Sequence, residues 1–180
     1  MKKTLPLLAL LCISGSALAQ NGPGSFYTNL GATAISDGSD SETAYFAQLG
    51  YNYYLSPMVS LDLSFGHTAT LDSTVTSESD GFASKYNSYS AGLKLEQSFG
   101  GFNLYGSGGA SYIDSEVTRW DAVNSVSKTT TDSSIQPYAS TGITFALLGS
   151  PLILDTGISY QWLPSGEGAA SVYGGAYLNF

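Results

Sequence analysis

Charge is scarce in this chain. Asp, Glu, Lys and Arg make up 11% of its 180 residues, against roughly 25% in an ordinary soluble domain. A water-facing surface of the usual kind is therefore excluded. Cysteine is nearly absent: the single one is Cys12, and a disulfide scaffold needs more. Basic residues number 6 against 14 acidic ones, which leaves no footprint for a phosphate backbone, so nucleic acid is not an expected partner. Long apolar runs are missing too. Beyond residue 20 none approaches the roughly 20 apolar residues of a spanning helix. Disorder is excluded from the other side, because 13% of the residues are aromatic and a chain that cannot bury apolar surface has few. What the sequence has in excess is glycine, at 21 residues, and tyrosine, at 13.

The start of the chain reads as an address. Lys2 and Lys3 give a positive beginning, residues 5–13 a short apolar core, and Ala17-Leu18-Ala19 a small-x-small cleavage pattern before Gln20. This is the layout of a secretory signal peptide over residues 1–19, cut after Ala19 with Ala17 as the other small residue. Cys12 lies inside it, and Leu11 before it is too large for lipoprotein processing. Residues 20–180 are then one domain. Its basic residues are Lys85, Lys94, Arg119 and Lys128.

That domain alternates with period two, the period of a half-buried strand. The segments are 25–35, 44–55, 59–67, 85–97, 102–113, 135–147, 152–162 and 170–180. The third is the cleanest, with Val59, Leu61, Leu63 and Phe65 on one face and Ser60, Asp62, Ser64 and Gly66 on the other. Short connections (56–58, 98–101, 148–151) alternate with longer polar ones (36–43, 68–84, 114–134, 163–169). An even number of roughly 10-residue segments with this alternation is the pattern of a bacterial outer-membrane barrel. The fold class is therefore all-β: an eight-stranded antiparallel transmembrane β-barrel, with short periplasmic turns and longer extracellular loops.

Charge placement supports that assignment. An Arg or Lys at the bilayer midplane costs about 2–4 kcal/mol, and the apolar faces of the segments carry no charge away from their ends. The mid-strand charges Asp62, Lys94, Glu96 and Asp155 all have the opposite parity and would point into the lumen. Most other acids fall in the longer connections. Outward aromatics sort into two belts, as amphipathic rings do at membrane interfaces. Phe26, Tyr53, Phe102 and Phe180 lie at the short-turn end, and Tyr45, Phe65, Tyr112, Tyr160 and Trp162 towards the loop end.

Four pieces of the sequence carry a family resemblance. They are Phe26-Tyr27 leading to Leu30-Gly31, the run from Ser60 to Gly66 after a Pro turn, Gln136-Pro137-Tyr138 followed by small residues up to Gly142, and the C-terminal Tyr173, Gly175, Leu178 and Phe180. Over residues 25–180 the chain resembles the OmpA/OmpX-type family of small outer-membrane β-barrel proteins, on its barrel-only, OmpX/Ail-like side. The resemblance implies the outer membrane as location, with outer-membrane lipid and lipopolysaccharide as surroundings. It implies periplasmic chaperones and the barrel-insertion machinery as assembly partners, the last reading Tyr173, Gly175, Leu178 and Phe180. No peptidoglycan-binding domain is expected after the barrel.

The lumen charges admit two readings: a polar network that closes the barrel with Lys94 shared among the acids, or a gated or proton-linked path. An eight-stranded interior is just wide enough for side chains to fill it, and buried charges are normally paired, which favours closure. His67, the only histidine, stands near Ser64 and Thr68 in sequence, but no companion catalytic motif is visible. The acidic connection with Asp37, Asp40 and Glu42 offers oxygen ligands without the spacing of a calcium loop, and solvated loop charge is the favoured reading. Ser/Thr-rich stretches with Val75, Val117, Val123 and Val126 point to strands that continue beyond the membrane. Gly106, Gly108 and Gly109 lie mid-strand and suit close backbone approach or curvature rather than phosphate binding. The expected function is a structural or surface-interaction role, as adhesion, host or envelope contact through the acidic outer loops. No catalysis, cofactor or metal is expected. A small low-conductance diffusion pore is the alternative, and a lipid A-modifying enzyme around His67 a weaker one.

Overall fold

Hydrocarbon offers no water to backbone N–H and C=O groups, so a strand crossing it needs a partner on each edge. The computed structural model meets that demand with a closed ring. It describes residues 24–37, 40–71, 82–121, 125–146, 152–164 and 166–179. The region read as a signal peptide, with Ala17 and Ala19, and the terminal Phe180 lie outside the described residues.

The strands are β1 (Gly24–Ser36), β2 (Ser41–Ser56), β3 (Val59–Thr70), β4 (Ala83–Ser98), β5 (Asn103–Asp121), β6 (Val126–Ala146), β7 (Leu152–Trp162) and β8 (Gly168–Asn179). Each pairs antiparallel with the next, and β1 pairs with β8, so the barrel is closed. The ladder shifts register between Tyr54 and Ser56, just before the turn at Pro57 and Met58. The two faces follow the alternation of the sequence. On β3, Leu61, Leu63 and Phe65 are exposed while Ser60 and Asp62 are buried. Leu30, Leu93, Leu95, Ile158 and Val172 are exposed and have the parity opposite to the lumen residues of their strands.

The strands are longer at their outer ends than the alternation indicates. β5 runs to Asp121 and β6 starts at Val126, so most of the polar stretch 114–134 is a paired ribbon and not a loop. Asp114, Glu116, Asp121 and Asp132 accordingly sit on strands, and Glu42 sits on β2. The reason is physical. Above the lipid both faces of a strand meet water, so both are polar and the period-two signal vanishes while the backbone ladder continues. Between β3 and β4 only Leu71 and Phe82 are among the described residues.

The lumen explains the joint excess of glycine and tyrosine. Inward-facing Gly50, Gly142 and Gly157 stand under the rings of Tyr27, Tyr105 and Tyr173, and Gly92 under the Tyr138 hydroxyl; a Cβ at any of them would collide with that tyrosine, and at Gly92, Gly142 and Gly157 with a neighbouring backbone carbonyl as well. Each tyrosine thus leans over a residue with no side chain, which for Tyr27, Tyr105 and Tyr173 is the direct cross-strand neighbour, the large-over-small fit that fills a narrow barrel. Gly142→Val should clash with both Tyr105 and the Thr156 carbonyl and lower stability by roughly 1–3 kcal/mol, the usual range for overpacking. Gly106→Val, where the added carbon points outward and meets only the Ser140 carbonyl at 3.9 Å, should change little. Guanidinium unfolding of vesicle-inserted protein, followed by Trp120 and Trp162 fluorescence, compares the two.

Candidate functional site

Four tiers stack through the lumen, from the turn end to the loop end. In the first, carboxylates meet tyrosines. Asp62 (β3) accepts hydrogen bonds from Tyr27 Oη at 2.7 Å and Tyr138 Oη at 3.2 Å. Asp155 (β7) accepts from Tyr105 Oη at 2.9 Å, and the Tyr105 and Tyr173 hydroxyls lie 2.7 Å apart. Lys94 (β4) pairs with Glu96 at 2.9 Å, and Asn103 donates to the other Glu96 oxygen at 2.6 Å. The ammonium also lies over the rings of Tyr105 and Tyr177, at 4.4 and 4.6 Å from their centroids, a cation–π arrangement.

The structure therefore brings Asp62, Lys94, Glu96 and Asp155 into one tier, but it divides the work differently from a lysine shared among three acids. Only Glu96 forms an ion pair with Lys94 among the described residues. The two aspartates are held by phenol hydroxyls: Tyr27 on β1 and Tyr105 on β5 each reach past one intervening strand, and Tyr138 on β6 past two. Tyr27, Tyr105, Tyr138, Tyr173 and Tyr177 are the residues that charge-pairing logic misses. The signal that finds them is a tyrosine of inward parity set against an inward glycine.

The second tier is uncharged. Asn29 donates to Gln48, and Gln48 to Ser64 at 3.0 Å. Ser111 joins Ser90 at 2.6 Å to Gln161 at 3.1 Å. Between these two tiers lies a cavity of about 50 Å³ lined by Asn29, Asn52, Asp62, Lys94 and Tyr105. At ~10–15 Å³ per water it has room for a few. Asn52 is fully buried and none of its side-chain polar atoms finds a protein partner.

The third tier is apolar: Ile35, Ala44, Phe82, Tyr86, Ile113, Val117, Leu163 and Ala169 form one buried cluster at the loop end. A fourth tier closes over it. Arg119 (β5) pairs with Asp37 at 2.6 Å and Glu167 at 2.8 Å, and its guanidinium lies 4.9 Å from the Phe82 ring centroid. The Asp37 hydrogen bond raises the Arg119 pKa further, burial opposes it, and Glu167 adds to the rise. Asp37 also accepts from the Asp40 N–H at 3.0 Å. Beside this cap, a groove of about 680 Å³ runs between the β5–β6 ribbon, with Arg119, Lys128 and Asp132, and Glu167.

On the outer surface, Phe26, Tyr53 and Phe102 are exposed near the turn end, and Tyr45, Phe65, Tyr112, Tyr160 and Trp162 towards the loop end. Phe65, Tyr89 and Tyr112 form a cross-strand ladder with centroid spacings of 5.2 and 6.4 Å. His67 belongs to this outer surface. Its Nδ1 lies 2.8 Å from Asn87 Oδ1 and its Nε2 3.1 Å from the Tyr45 hydroxyl. Thr68 is buried and Ser64 bonds Gln48, both on the lumen side. The structure thus separates His67 from both hydroxyls. Of the C-terminal residues, Tyr173 faces the lumen with Gly175, whose missing side chain leaves space for Asn29, and Leu178 faces outward.

Residues 5–149 match the family model described as "Outer membrane protein beta-barrel domain". No curated protein matches the chain. Among solved structures, Neisserial surface protein A is similar at a TM-score of 0.70 and 13% identity, covering 88% of this chain and 98% of that one. The attachment invasion locus protein Ail of Yersinia pestis is similar at 0.57 and 17%, covering 88% and 99%. OprG of Pseudomonas aeruginosa is similar at 0.53 and 15%, covering 89% and 98%. At these identities the likeness shows the fold.

Removing one half of a buried ion pair strands the other half. Lys94→Ala should destabilise the barrel by about 3 kcal/mol, the lower end of the range for a broken buried pair, because the Glu96 side chain keeps 22% exposure. Lys94→Ala combined with Glu96→Gln should recover much of that loss. A double-mutant cycle on unfolding midpoints reads the difference, and simple additivity would show that the pair is not coupled.

Proposed function

The chain belongs to the outer membrane protein β-barrel family, and from that premise we propose that it works as a closed, non-catalytic barrel whose outer ribbon is a contact surface. One observation carries the reading. β5 and β6 remain paired from the lipid-facing zone up to Asp121 and Val126, whereas β6 joins β7 only from Tyr138 onward. The ribbon so formed rises past its neighbour, and every β6 residue from Val126 to Ser133 is exposed. Extra paired strand beyond the membrane adds nothing to a pore or to bilayer anchoring. It makes a stiff platform for adhesion or for envelope contact.

The acids are less available than their number indicates. Asp37 and Glu167 pair with Arg119, and Glu116 pairs with Lys85 at 3.0 Å. The Ser- and Thr-rich face of the ribbon is therefore the better contact surface. Closure of the lumen is supported by the apolar cluster above the tyrosine tier and by the Arg119 cap over it. The non-catalytic reading is supported by His67, whose ring nitrogens both face Asn87 and Tyr45 and no nucleophile.

Trypsin added to intact cells should cut after Lys128, which is exposed on the ribbon, and spare Lys94, which is 3% exposed in the lumen. Peptide mass spectrometry of the digest decides this, and absence of the Lys128 cut would remove the ribbon from the cell surface. In planar bilayers the purified barrel should give no reproducible conductance steps. Steps that change with Lys94→Ala would replace this reading with the diffusion pore.

A further inference from the structure

The ribbon has one paired edge and one open edge. From Val126 to Pro137, β6 is bonded to β5, and among the described residues no strand pairs with its other side. Two bonds show which groups point to the open side. The Pro137 carbonyl accepts from Gln161 on the β7 side, and the Asp132 carbonyl accepts from Ser115 on the β5 side. Odd-numbered residues therefore turn their N–H and C=O to the open edge, since direction alternates along an antiparallel strand. Ser127, Thr129, Thr131 and Ser133 present a row of backbone donors and acceptors. Proteins usually blunt such edges with bulges, prolines or lysines. Here the β5–β6 register has no bulge, the proline stands at the foot of the edge, and one lysine lies on it.

The sequence of that edge is complementary to itself. Ser127-Lys128-Thr129-Thr130-Thr131-Asp132-Ser133, laid antiparallel against a second copy with Thr130 opposite Thr130, sets Thr129 opposite Thr131 and Ser127 opposite Ser133. It also sets Lys128 opposite Asp132, twice by symmetry. The register has the correct hydrogen-bond phase. Odd residues oppose odd residues, so their open backbone groups bond each other. Even residues fall in the closer, non-hydrogen-bonded pairs, about 4.5 Å apart at Cα and on one face, where opposite charges attract. Within one chain Lys128 has no ion pair among the described residues, and its cross-strand neighbour is Arg119. The Asp132 carboxylate instead accepts from the Ser133 N–H at 2.8 Å. Pairing gives that N–H a carbonyl and frees the carboxylate for Lys128 of the other copy.

We propose that the open edge of β6 binds the same edge of a second copy of this chain, in the register centred on Thr130. The proposal rests on the reading of the ribbon as a contact surface and names its partner. In both copies β6 runs from the outer tip towards the membrane. Antiparallel pairing therefore points the two barrels in opposite directions, and the contact joins chains in facing membranes rather than neighbours in one.

The test uses barrels of residues 20–180, which contain no native cysteine, in lipid vesicles, with Thr130→Cys to report the register. Two populations of vesicles, one fluorescent, are mixed under mild oxidation. The expected result is vesicle clustering with a disulfide-linked dimer, since the central pair has the Cα spacing a disulfide needs. Adding Lys128→Asp, or separately Asp132→Lys, should each cut dimer yield at least fivefold, because like charges then face each other. Mixing vesicles of one variant with vesicles of the other should restore it, because both ion pairs re-form. Heat-dependent gel migration checks that each variant is folded. Dimer yield indifferent to charge, or no restoration in the mixture, overturns the proposal. If pairing fails while external trypsin still cuts after Lys128 and cells with a deleted ribbon still lose surface attachment, the broader contact reading survives and this inference alone falls.

Discussion

A carboxylate inside a lipid-wrapped barrel must find its hydrogen bonds among the side chains of the lumen. That constraint organises the molecule. Burying an ionised group without partners costs far more than a domain can spare, and an eight-stranded ring leaves little room for water beside it. The chain answers with phenols. Tyr27 and Tyr138 reach Asp62, and Tyr105 reaches Asp155. Each ring then needs a bare patch of wall to lie over, and the inward glycines supply it. Tyrosine and glycine are abundant for the same reason. Lys94 is left to neutralise one acid and to lie between two rings.

Most of the architecture is legible in the sequence because lipid enforces strict alternation. Where Leu61, Leu63 and Phe65 alternate with Ser60, Asp62 and Ser64, period and parity both read directly. The reading fades at the outer ends. Above the lipid, Thr129, Thr130 and Thr131 are polar on either face, so nothing in composition separates a paired strand from a loop. The lumen shows a similar limit. Parity places Asp62, Lys94, Glu96 and Asp155 inside, but partnership depends on register between strands distant in sequence. Tyr105 and Asp155 are 50 residues apart, and Tyr138 and Asp62 76. No local pattern carries that information. The buried apolar cluster at the loop end is equally hidden, since it gathers single residues from strands and connections alike.

The tiers divide the barrel into regions with different duties. The tyrosine tier ties strands together across the ring, because Tyr27 and Tyr138 share Asp62 while Tyr105 joins Asp155 to Tyr173. The apolar tier gathers buried side chains at the loop end. Outside, the aromatic ladder of Phe65, Tyr89 and Tyr112 and the His67–Tyr45–Asn87 group lie towards the loop end of the outer surface; amphipathic rings are favoured at membrane interfaces. The ribbon stands above these, and it is tied to the packing below on its β5 side by Val117 and Arg119, while β6 from Val126 to Ser133 is exposed throughout.

Arg119 reaches far along the chain. It holds Asp37, 82 residues away beside β1, and Glu167, 48 residues away before β8, and it leans on Phe82 ahead of β4. Asp37 and Glu167 flank the seam where the first strand meets the last. These contacts have their full geometry only once the seam has zipped. Loop-closure entropy opposes them until then. The cluster is therefore a latch that engages after assembly, and its strength is felt by the rate at which a finished barrel reopens rather than by the rate at which the chain first inserts.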